Sequence, residues 1–162
     1  GDYAMVLMVA QAAAILTYIP VGAIASRIGR KRTILAGVAM LAVAFGAAIF
    51  VRTFSGIVFF FFVLAGVAWA FINVNSYPMV VELSRGADVG KYTGYYYTFS
   101  MTAQIITPIF SGALMQFFGY HTLFPYATVC VAISFVTMLL VRHGDSRPVP
   151  AKSRLEAFDV DD

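Results

Sequence analysis

The chain has 162 residues, 60% of them hydrophobic and 12% charged, with a formal net charge of +3 and a mean hydropathy of +0.82. So little charge cannot cover the surface of a water-soluble domain of this size, and a charge of +3 spread over connections and the C-terminal stretch is no nucleic-acid footprint. The single cysteine, Cys130, excludes an internal disulfide and, lying in an apolar run, reads as a small filler.

Apolar runs of roughly 20 residues recur five times, each long enough for a hydrocarbon core about 30 Å thick. Lipid offers the backbone no hydrogen-bond partner, and the runs do not alternate as barrel strands do. The expected fold class is therefore all-α: a polytopic transmembrane bundle of about five membrane-spanning helices. Helices are expected at about residues 3–25, 33–51, 57–77, 92–117 and 123–141, which together make a bundle over 1–141.

The first run holds Gln11, Thr17 and Pro20 and leads into a basic loop, SRIGRKR, at 26–32. The second is rich in Gly and Ala, with Gly37, Ala39, Ala42 and Gly46 suited to close backbone approach. A short turn, RTFSG, precedes the third run. A charged loop over 78–91 carries Glu82, Arg85, Asp88 and Lys91 and precedes the fourth. The turn FGYHT separates the fourth from the fifth. Residues 142–162 form a polar tail, expected to be disordered. No basic n-region marks a signal peptide. The chain starts at Gly1 rather than Met, and a fragment of a longer protein is expected.

Ten of the Lys and Arg residues fall on one side of this arrangement, and Arg52 alone on the other. The positive-inside rule places the ten, and the C-terminus, in the cytoplasm. The expected location is the cytoplasmic membrane, crossed several times.

In lipid, amides and hydroxyls face protein or water, so their distribution marks the helices that see a cavity. Thr93, Tyr97, Ser100, Gln104, Thr107 and Ser111 are spaced by three and four and share one face of the fourth helix. Pro108 interrupts the hydrogen-bond ladder beside them. The stripe reads as a cavity wall, against the alternative of a hydrogen-bonded seam between helices. Asn73, Asn75 and Ser76 sit where the third run is expected to end, either to meet substrate or to cap the helix and join its neighbours. Trp69 offers a stacking face, weighed against plain packing. Gln11 is the polar candidate of the first helix. The second and fifth helices read as scaffold.

The first basic connection contains Gly22, Arg27, Gly29, Arg30 and Lys31 in the spacing G-x-x-x-S-R-x-G-R-K. This resembles the loop signature G-x-x-x-D-R-x-G-R-R/K of the major facilitator superfamily, which occurs in both halves of its twelve-helix fold; here Ser26 stands in place of the Asp. The resemblance implies a partial major facilitator fold. It also implies a cytoplasmic gate in which these Arg residues pair with carboxylates or helix C-termini. Glu82 is the expected acid, in a network with Arg27, Arg30 and Arg85. The stretch NVNSYPMVVELSRGADVGKYTGYYYTFSMTAQIITPIFSGAL is similar to the sucrose-transporter-like branch, close to the glycoside–pentoside–hexuronide:cation symporters. On that mapping the five helices are the eighth to the twelfth, with the ninth and twelfth peripheral.

The resulting expectation is secondary active transport of a sugar or glycoside by alternating access, coupled to H+ or Na+. Expected partners are that solute, the lipid bilayer and an N-terminal half outside this chain, with no nucleic acid. No cofactor and no enzymatic chemistry are expected: there is no nucleophile–base pair, no metal-ligand spacing and no phosphate-cradling loop. The eight Asp and Glu residues all lie outside the expected membrane core, so the coupling group is expected in the missing part, with Glu82 or coupling through another ion as the alternatives. A small oligomeric membrane protein with a scaffolding or channel-subunit role is the alternative; the signature and the odd helix number weigh against it.

Overall fold

The computed structural model describes residues 2–51, 56–83 and 88–144, with side chains from Ala4 onward. Five α-helices follow one another: α1 (Asp2–Ile28), α2 (Arg30–Ala48), α3 (Gly56–Leu83), α4 (Val89–Phe118) and α5 (Leu123–Leu140). A 3-10 turn (Tyr120–Thr122) introduces α5, and no strand occurs among the described residues. All five helices are long and apolar enough to cross a membrane. At 1.5 Å per residue α3 and α4 are about 42 and 45 Å long, more than the hydrocarbon needs, so their ends project or the helices tilt.

The helix ends differ from the sequence expectation in an instructive way. The basic stretch 26–32 is not a loop. Ser26 and Arg27 are in the last turn of α1, Arg30 opens α2, and one residue, Gly29, joins the two helices. Gly29 has φ 97°, a backbone that L side chains rarely adopt. Its N–H donates to the Ala25 carbonyl at 2.9 Å, and its own carbonyl accepts from the Thr33 N–H at 3.2 Å and the Thr33 hydroxyl at 2.8 Å. Likewise α3 does not end near Tyr77 but continues through Pro78 to Leu83. Proline has no N–H, so the Val74 carbonyl loses its usual donor there. The fourth helix begins three residues before the expected position and ends at Gly119, whose φ is 93°. In each case hydropathy marks where the hydrocarbon stops, whereas the helix continues until the backbone is turned.

The bundle is organised around α3, which packs against α1 and α2. Small residues permit the approach. Gly66 lies directly on the backbone of Ala10, and a Cβ added at Gly37 would stand 2.8 Å from the Ala68 carbonyl oxygen and from Phe71 Cβ. One apolar cluster joins Ala14, Val21 and Ala70 across α1 and α3. Another joins Ile34, Val38 and Met79, with Val131, Phe135 and Met138 of α5 packed against it. Helix α4 stands apart. None of its residues is buried, and the space around Gly90, Gly94 and Gly112 is open.

Candidate functional site

Two polar faces meet at α3 and α4. On α3, Trp69, Asn73 and Tyr77 are four residues apart, share one side of the helix and are exposed. Tyr77 carries this face to α4. Its hydroxyl lies 3.5 Å from that of Thr93, and its ring packs on Tyr96 and Tyr97 with centroids 5.8 and 6.0 Å away. From Thr93 the α4 stripe continues through Tyr97, Ser100, Gln104, Thr107 and Ser111. Gln104 and Thr107 are exposed, while Thr93, Ser100 and Ser111 are half-buried.

Apart from Tyr77–Thr93, the side-chain hydrogen bonds of the described α4 residues stay within the helix. The Gln104 amide is 3.4 Å from the Ser100 hydroxyl, Thr102 donates to the Thr98 carbonyl at 2.7 Å, and Ser111 to the Pro108 carbonyl at 3.3 Å. The described helices therefore do not close a hydrogen-bonded seam over the stripe.

The amides of α3 do not cap a helix end, because the helix does not end there. Asn73, Asn75 and Ser76 each donate one turn back, to the carbonyls of Trp69 (3.0 Å), Phe71 (2.8 Å) and Ile72 (2.6 Å). Asn75 is only 2% exposed, and an unpaired amide there would cost roughly 1–3 kcal/mol, which the bond to Phe71 offsets. The back-bond leaves Asn73 on the surface with its amide oxygen available to a ligand. Gln11 is not brought to the α4 stripe. It opens on a groove of about 290 Å³ bordered by Ala10, Phe45, Phe62 and Trp69. Trp69 is the side chain common to that groove and to the polar face of α3.

The second candidate region is the basic end of the bundle. Arg30 and Glu82 form an ion pair linking the first turn of α2 to the last turn of α3, with 26% and 22% of their side chains exposed. Three cations opening a helix oppose its dipole, each by about 0.3–1 kcal/mol, so the Glu82 carboxylate compensates a local electrostatic cost. Lys31 is drawn elsewhere: its ammonium donates to the carbonyls of Leu139 at 2.9 Å and Val141 at 2.5 Å, at the end of α5. Arg27 is exposed, and no described contact joins it to Glu82. Of the expected network, the described residues contain the Arg30–Glu82 link and not an Arg27–Glu82 one. Arg85 lies outside the described residues. Beside Arg30 a crevice of about 210 Å³ is bordered by Gly22, Ser26, Asn75 and Pro78. The Ser26 hydroxyl donates to the Ala23 carbonyl at 2.8 Å.

Sequence reasoning did not single out Tyr77, Tyr96 or Thr33. The aromatic contact of Tyr77 follows from its four-residue spacing to Asn73, a signal present in the sequence once α3 is extended past Pro78. Among the described residues no three His, Cys, Asp or Glu side chains converge as metal ligands.

A search of curated proteins finds no match to this chain. The family model of the Major Facilitator Superfamily matches residues 1–160, which takes in all five helices and both candidate regions. With the G-x-x-x-S-R-x-G-R-K sequence placed at the α1–α2 junction and five membrane-length helices around it, the chain belongs to the Major Facilitator Superfamily, a family of membrane transporters.

Proposed function

We propose that this membrane transporter moves a neutral, hydroxyl-rich solute, a sugar or glycoside, by alternating access. The observation that carries the reading is the wall formed by Asn73 and Tyr77 of α3 with Thr93, Tyr97, Ser100 and Gln104 of α4. It offers amides, hydroxyls and aromatic faces and no charge. Such groups hydrogen-bond sugar hydroxyls, and rings such as Tyr97 and Trp69 stack on sugar faces. A charged solute would leave its charge unpaired against this wall. The other wall belongs to helices outside this chain, and so does the carboxylate that couples transport to H+ or Na+. The basic end faces the cytoplasm, and the Arg30–Glu82 pair is a gate that holds this end in one of its two states.

Uptake of radiolabelled mono- and disaccharides by the intact transporter in proteoliposomes tests the reading, with imposed proton or sodium gradients and an ionophore control. Accumulation of a neutral sugar driven by one gradient is expected. Transport confined to charged or lipophilic compounds would overturn the substrate class.

A further inference from the structure

Three helix ends meet at the basic end of the bundle, and only one link between them is the Arg30–Glu82 pair. The α5 helix has no basic residue in its own last turn. Its C-terminal carbonyls, the negative pole of the helix dipole, are met instead by Lys31 from α2. The chain then leaves α5 and crosses to α3. Gly144 has φ 83°, and a Cβ there would stand 2.6 Å from the Met79 carbonyl oxygen and 3.4 Å from Leu83 Cγ. Residues 141–144 thus form a strap from Lys31 to the last turns of α3, one residue from Glu82. Met79, Leu83 and Val141 also border one groove of about 370 Å³, so strap and helix end share a wall.

We propose that Lys31 and Gly144 are positioning residues for the Arg30–Glu82 pair. Lys31 anchors the end of α5, and Gly144 lets the strap over 141–144 press on α3, which keeps Glu82 in register with Arg30. The end of α5 is then a third member of the gate, although it contributes no charged side chain to the pair. This inference rests on the reading of Arg30–Glu82 as a gate.

The test uses the intact transporter carrying Cys130→Ser and Ser26→Cys, whose thiol reports on the crevice beside Arg30. Its rate of labelling by N-ethylmaleimide is read in membrane vesicles. Glu82→Gln is expected to raise the rate about tenfold, as for loss of a charge-assisted hydrogen bond that biases two states. Lys31→Met and Gly144→Ala are expected to raise it in the same direction. Lys31→Arg, which still donates to the α5 carbonyls, should stay near the parent rate. The Lys31→Met/Glu82→Gln double variant should label no faster than Glu82→Gln, because both act on one contact. Should Lys31→Met fail to fold, Gly144→Ala carries the test, since it moves the strap and leaves every charge in place. An unchanged rate in Glu82→Gln removes the gate and this inference together. A response to Glu82→Gln with none to Lys31→Met or Gly144→Ala, effects that multiply, or a Lys31→Arg variant as fast as Lys31→Met overturns the inference alone.

Discussion

Helices α2 and α4 are made for different surroundings. The first is almost free of polar side chains past its opening turns, is held between α3 and α5, and buries Thr33, Ile34, Gly37, Val38, Leu41 and Ala44. The second carries a polar stripe along its length and buries nothing. Both are apolar enough to cross a membrane, so hydropathy alone does not separate them. The separating features are glycine environment and the fate of polar groups. In α2 Gly37 is a contact and the Thr33 hydroxyl is buried; in α4 the glycines face open space and Gln104 and Thr107 are exposed, although its hydroxyls too bond their own backbone. What the small and polar residues of a helix touch thus separates α2 from α4 where hydropathy does not.

That contrast can be broken most severely at the packed glycines. Gly66→Val and Gly37→Val are expected to cost about 3 kcal/mol or more, since each forces a side chain into backbone of a neighbouring helix. Thermal unfolding in detergent would show it, and parent-like midpoints would mean that the helices do not approach so closely. A smaller effect, on function alone, is expected at the lining face. Gln104→Ala and Asn73→Ala should each raise KM for the transported solute about tenfold at unchanged expression, the loss of one ground-state hydrogen-bond partner. A fall in kcat with KM unchanged would instead assign the stripe to the conformational step.

Thr33→Val tests the opposite duty of a hydroxyl. It removes the bond to Gly29 and should lower stability by about 1 kcal/mol with transport kinetics unchanged. Smallest of all is Gly94→Ala, where the space is open and alanine favours the helix by up to about 1 kcal/mol. A neutral or stabilising result is expected. Should Gly94→Ala abolish transport, that face of α4 is covered in the intact transporter by another helix.

The five helices and the three-and-four spacing of the α4 stripe were legible in the sequence, because both are local patterns. Helix ends were not. Arg30, Lys31 and Arg32 resemble loop residues by charge, and only the positive φ of Gly29 shows that they open a helix. The same misplacement hid the division of labour among the cations. Read as one basic loop, Arg27 and Arg30 look equivalent; on separate helices one is exposed and the other reaches Glu82. The partner of Lys31 was beyond any local pattern, since the carbonyls that it binds lie 108 and 110 positions further on. Gln11 was recognised as a polar group in an apolar helix, but spacing within one helix says nothing of which groove that helix borders.

The single-residue connection at Gly29 has a mechanical consequence. A long loop would absorb a tilt of α1 as slack. One glycine, bonded on both sides to the turns that it joins, leaves little slack while those bonds hold, so α1 and α2 resemble the two arms of a crank. A swing of α1 that keeps those bonds is passed to the first turn of α2, where Arg30 and Lys31 each hold a different helix. Motion at one arm therefore arrives at two distant attachments in the same stroke.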